Sequence, residues 1–211
     1  MNLMKMCRCD LPVSTLDQRE GLLMTTERVS GIVLLVGSLL FLIAAFLPIS
    51  WVFAEHAPEK ELEMIDAGLA AWKLAQILFG SGAIVAAVGM FFTFLHLHDG
   101  KAYTSSLATF LLAFLGALLW TWHVYLRSVY PDAFIHGLLH PRWLAGGYFI
   151  LTIAALVLFG VALLQAGYPR WVGWMNIGAS TFFALVLIVF RDLPPFVYYV
   201  DIGITAVVLI V

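Results

Sequence analysis

Long stretches without a charged side chain constrain this chain more than any motif in it. Val29 to Ala54 carries no charge, and Leu74 to Leu126 carries only Asp99 and Lys101, which divide it in two. Trp143 to Pro169 and Trp171 to Phe190 are also uncharged, and Pro195 to Val211 is interrupted once, by Asp201. A bilayer crossing takes about 20 mostly apolar residues at about 1.5 Å of rise each. Lipid offers nothing to an open backbone donor or acceptor, so such runs must be helical. The expected fold is an all-α integral membrane protein, a bundle of six transmembrane helices. Its spans fall at about 29–54, 72–98, 104–128, 142–166, 170–190 and 195–211.

Composition supports this. The chain is 63% hydrophobic and 11% charged, with a mean hydropathy of +0.98, where a soluble domain is about 25% charged. A formal charge of -2 supplies no basic field for nucleic acid. The lipid bilayer is the expected partner, along with other membrane subunits or further copies of the chain.

Residues 1–27 read as a polar, cytoplasmic N-terminal tail ahead of a transmembrane domain at 28–211. The tail has no apolar core of the kind a cleaved signal carries. Met24-Thr-Thr-Glu-Arg resembles a translation start, and the apolar run that stops at Val211 reads as a short last helix or a truncation. With the N-terminus inside, six basic residues (Lys5, Arg8, Arg19, Arg28, Lys101, Arg170) face five outside (Lys60, Lys73, Arg127, Arg142, Arg191). That excess, with Arg28 beside the first span, gives an N-in multi-pass cell-membrane protein. Cys7 and Cys9 read as unpaired thiols, since cysteines two apart close poorly on each other. Pro141-Arg142-Trp143 and Pro169-Arg170-Trp171 combine a helix-starting proline with headgroup-seeking Arg and Trp.

An ionisable group inside a membrane faces a protein interior or a watery cavity. Asp201 lies six residues past Pro195, about 9 Å into its helix, with Tyr198 and Thr205 on the same face. Trp120, His123 and Arg127 form a stripe on the third helix, and Lys73 and Gln76 lie near the outer end of the second. All sit in one leaflet. Two readings follow for Lys73, Gln76, His123, Arg127, Tyr198 and Asp201. Either they form hydrogen bonds that pin helices together, or helices two, three and six enclose an outward-opening polar pocket with Asp201 paired to His123 or Arg127. Lys73, Arg127 and Tyr198 have the further option of reaching the headgroups.

The outer loops bring Glu55, His56, Glu59 and Glu63 together with His136 and His140. Imidazole with carboxylate suits a first-row metal, which makes Glu59, Glu63, His136 and His140 the metal candidates. Gly137 and Pro141 oppose the helical turn that His136 and His140 would need, so an acidic solvated loop is the alternative. Pro58 to Leu69 reads as a short interfacial helix with Leu62, Ile65 and Leu69 on one side. His96 and His98 lie at the opposite surface from His123, so no pair can sandwich a haem, and no cofactor is expected. Gly82, Ala86 and Gly89, and later Gly146, Gly160, Gly173 and Gly178, mark faces for close helix contact.

Arg28-Val29-Ser30-Gly31 and the segment Pro169-Arg170-Trp171-Val172-Gly173-Trp174 resemble those of small multi-pass membrane proteins common in bacteria, which carry no agreed activity. The resemblance implies a compact helical bundle in a bacterial inner membrane and no catalytic residue. No nucleotide loop, nucleophile elbow or Ser/His/Asp set is recognisable, so the chain leans away from enzymes. The first expectation is a non-catalytic accessory or scaffold subunit or a homo-oligomer. The alternative is a small-ligand binder, sensor or proton-coupled carrier using the outer-leaflet pocket.

Overall fold

Helix α1 (Val13–Phe46) begins well inside the segment read as a polar tail and ends sooner than the apolar run suggests. The cause of the early end is Pro48. Leu47, held extended at φ -63° and ψ 141°, breaks the helix as residues before proline do. Ser50 Oγ then donates to the Ala44 carbonyl at 2.7 Å, satisfying one of the carbonyls the helix end leaves open. A 3-10 helix, Pro48–Ala54, replaces the expected last two turns of the first span.

The computed structural model describes residues 13–55, 57–98, 100–138, 142–190 and 194–211, with side chains from Thr26 onward and Arg142 excepted. The short helix α2 (Pro58–Ala67) is followed through Gly68 by α3 (Leu69–His96). Then come α4 (Tyr103–Val129), the single turn α5 (Pro131–Ile135) and α6 (Arg142–Ala166). Helices α7 (Arg170–Phe190) and α8 (Phe196–Ile210) complete the order. Five of these helices are long and apolar enough to cross a membrane, and α8 is a shorter apolar sixth. The chain is an all-α, multi-pass membrane bundle.

Each long helix packs mainly on two neighbours. Helix α3 lies against α1 and α4, α4 against α6, and α6 against α7, while α8 packs on α1. The last pair, α7 and α8, touches only lightly and closes the ring. One end of the bundle carries the 3-10 helix, α2 and α5, where buried Val52, Ile65 and Trp72 form a small apolar cap. Ile65 is buried, but α2 stops at Ala67, so Leu69 opens α3 and is exposed instead of extending the apolar side expected for Pro58 to Leu69. At the other end Tyr168 Oη donates to Glu27 Oε1 at 2.7 Å, tying the α6–α7 turn to α1. Burial, reinforced by the Glu27 carboxylate, pushes the Tyr168 phenol well above its ordinary value.

Small residues decide where backbones meet. A Cβ on Gly37 would stand 2.5 Å from the Ala86 amide nitrogen, and one on Gly82 would stand 2.8 Å from the Phe41 nitrogen. Helices α1 and α3 therefore touch backbone to backbone, as Gly160 and Gly173 allow α6 and α7 to do. Gly146 and Gly178 differ from that expectation: each has open space where a side chain would go.

Candidate functional site

Along the axis of the ring runs a column of aromatic side chains. Phe41 stacks on Tyr199 with ring centroids 3.7 Å apart and meets Phe79 edge-on at 4.8 Å. Trp120 lies 4.5 Å from Tyr148, whose hydroxyl donates to Tyr199 Oη at 3.3 Å. A cavity of about 30 Å³, lined largely by alanines of α3 and α4 with Tyr148, Thr152 and Tyr199, leaves room for roughly one water.

At the capped end of this column the stripe Trp120, His123 and Arg127 turns inward, and all three are buried. Arg127 does not reach out to the headgroups. Its guanidinium carbon lies 4.4 Å from the centroid of Phe53, 5.5 Å from Trp72, 5.7 Å from Phe134 and 5.9 Å from Trp120. Trp72 Nε1 also donates to the Arg127 carbonyl at 3.3 Å, locking α3 to α4. A cation over ring faces is held by their quadrupoles, more strongly once water is excluded. His123 stacks on Trp120 and meets Phe134, both at 5.3 Å. Arg127 thus sits in an aromatic box, and among the described residues no carboxylate pairs with it.

The second polar group lies between α7 and α8. Asn176 Nδ2 donates to Thr205 Oγ1 at 2.8 Å, and Phe183 meets the ring of Tyr198 at 5.3 Å. These two contacts fix the antiparallel register. Ser180 is one turn beyond Asn176 and Asp201 one turn before Thr205, so the two stand level in the seam. Ser180 is fully buried and Asp201 is 4% exposed. Among the described residues neither the Asp201 carboxylate nor Ser180 Oγ has a hydrogen-bond partner, nor do Asn176 Oδ1 and Tyr198 Oη. From α1, Ser38 Oγ is buried without a partner too, close to Gly203 of α8.

The candidates read from the sequence therefore separate. Asp201 and Tyr198 belong to the α7–α8 seam, His123 and Arg127 to the aromatic box. Gln76 is buried between α3 and α4, and Lys73 is exposed. The expected pairing of Asp201 with His123 or Arg127 is absent. Asp201 shares the face of α8 that carries Tyr198 and Thr205 to α7, whereas Arg127 of α4 lies against Phe53 of the Pro48–Ala54 segment. Of the metal candidates, Glu59 and Glu63 are exposed on α2, and His136 Nδ1 lies 3.2 Å from Asp132 within its own turn. Gly137, at φ +71°, ends that turn. His140 and His56 lie outside the described residues, as do Cys7, Cys9 and Asp99. Among the described residues no three His, Cys, Asp or Glu side chains gather as a metal site.

Sequence reading missed Phe53, Trp72 and Phe134 as the walls around Arg127, and it placed neither Asn176 nor Ser180 beside Asp201. Their four-residue spacing on α7, matched to Asp201 and Thr205 on α8, was the available signal. No protein-family model, curated protein or solved structure matches this chain.

Proposed function

We propose that this chain is a proton-binding membrane protein, a sensor or proton-coupled carrier, and that Asp201 is its working carboxyl. One observation carries the reading: a carboxylate buried in an apolar helix, level with a buried serine hydroxyl, with no partner for either oxygen among the described residues. An ionised carboxylate left alone in such surroundings is strongly disfavoured. Taking up a proton removes the charge and gives the group an O–H to donate. Ser180 Oγ, Tyr198 Oη and Asn176 Oδ1 supply acceptors in the same seam. A seam of purely structural use would have satisfied its polar atoms, as buried groups normally are. The light packing of α7 on α8 favours a place where side chains rearrange as the proton comes and goes.

The compartment belongs to the same proposal. The six-to-five excess of basic residues favours an N-terminus in the cytoplasm and a bacterial inner membrane, with the transmembrane domain at 28–211 and Asp201 in the outer leaflet.

A second reading, an accessory subunit or homo-oligomer, draws on α7. Trp171, Trp174, Phe182, Ile188 and Phe190 are all exposed along it. Lipid covers such a face as well as a protein does, so the seam has priority.

Dicyclohexylcarbodiimide, which attacks protonated carboxyls within membranes, separates the two. With the protein in nanodiscs, the adduct is expected on Asp201, rising as pH falls and absent in Asp201→Asn. Native mass spectrometry after mild extraction gives the other arm. A stoichiometric complex with other chains and no Asp201 adduct would favour the subunit.

A further inference from the structure

A third polar feature, remote from the Asp201 seam, opens to the lipid between α3 and α4. Gln76 is 2% exposed, yet neither its amide nitrogen nor its amide oxygen has a hydrogen-bond partner. Thr121 Oγ1, across on α4, is buried without one as well. Both residues line a cavity of about 350 Å³, within the roughly 300–1,000 Å³ range of small-molecule sites. Exposed Ile77 and Tyr125 border its mouth, so entry is sideways from the bilayer.

The lining has a gradient. Ser128 and Tyr125 lie near the end of α4, at the capped end of the bundle. Gln76 comes next, and Ile84 lies eight residues further along α3, about 12 Å deeper. Among the described residues no charged side chain lines the cavity. A primary amide offers two donors and one acceptor and carries no charge. Leaving it buried and unmatched is costly, and a plain helix contact would avoid that cost with leucine.

We propose that the α3–α4 groove binds a neutral membrane amphiphile whose head carries a hydroxyl and a carbonyl. With the Gln76 side chain turned from its buried position into the groove, the carbonyl accepts from its amide nitrogen, the hydroxyl donates to its amide oxygen or to Thr121, and the acyl chain follows Ile77 and Ile84 toward the bilayer centre. Charged heads are disfavoured because the groove supplies no countercharge. This site stands independently of Asp201.

The test uses a diazirine-bearing monoacylglycerol with the full chain in phosphatidylcholine nanodiscs. Cross-links are expected on α3 and α4 residues of the groove and are expected to be displaced by excess unlabelled monoolein. Gln76→Leu should weaken displacement about tenfold, the loss of one good hydrogen-bonding partner. Thr121→Val, nearly isosteric, should weaken it by a smaller factor and settles the matter if the Gln76 variant fails to fold. Labelling that monoolein does not displace, or displacement unchanged in the variants, would overturn the proposal. So would equal displacement by a diacyl phosphatidic acid, since a charged head would then serve as well as a neutral one.

Discussion

The seam between α1 and α3 and the seam between α7 and α8 use the same residue types to opposite effect. In the first, Ser30 Oγ and Thr93 Oγ1 lie 2.6 Å apart and each is 3.1 Å from the Gly89 carbonyl, so one hydroxyl donates to the other, which donates to the carbonyl. Each hydroxyl there has a partner, and glycines bring the backbones into contact. In the second, among the described residues one hydrogen bond between side chains joins the helices, and Asp201, Ser180 and Tyr198 are buried with their oxygens unmet. A membrane helix pair that only needs to hold together satisfies its polar groups and closes up. A pair that leaves them open keeps something for a proton or water to bind.

The comparison is broken or sharpened by four substitutions, each read by reversible unfolding in mixed micelles. Gly37→Ala should have the largest effect, a loss of about 3 kcal/mol, because the new Cβ meets the Ala86 backbone and no side chain can move aside. Asp201→Leu should act in the other direction, adding about 2 kcal/mol, since the carboxylate it removes has no partner to lose. An Asp201→Leu variant that unfolds more easily would mean that the carboxylate is held by something that stabilises the fold. Ser30→Ala should cost about 1 kcal/mol, as Thr93 keeps its own bond to Gly89. Ser180→Ala should change stability by less than about 0.5 kcal/mol. If Ser30→Ala and Ser180→Ala cost the same, the contrast between the seams is lost.

Much of the architecture was legible because lipid makes the sequence pattern strict. Uncharged runs located the helices, and Pro58 marked the start of α2, though Gly68 ends it before Leu69. The inward stripe of Trp120, His123 and Arg127 also follows from helical period alone. The early end of α1 was less legible, because Pro48 sits in a run whose composition does not change. Which helices neighbour each other leaves no mark in periodicity, and that is why Asp201 was given to helices two and three when its seam is with α7. The environment of Arg127 was hidden for a different reason. A search for countercharge overlooks rings, and Phe53, Trp72 and Phe134 come from three separate elements that only the cap brings together.

Infrared difference spectroscopy of the protein in nanodiscs, following a pH step, tests the Asp201 seam most directly. A protonated carboxyl in apolar surroundings shows a C=O stretch distinct from that of surface carboxylates and sensitive to deuterium. The account predicts such a band, growing as pH falls, lost in Asp201→Asn and shifted in Ser180→Ala. A spectrum with no band that depends on Asp201, in a protein that stays folded across the step, would contradict it.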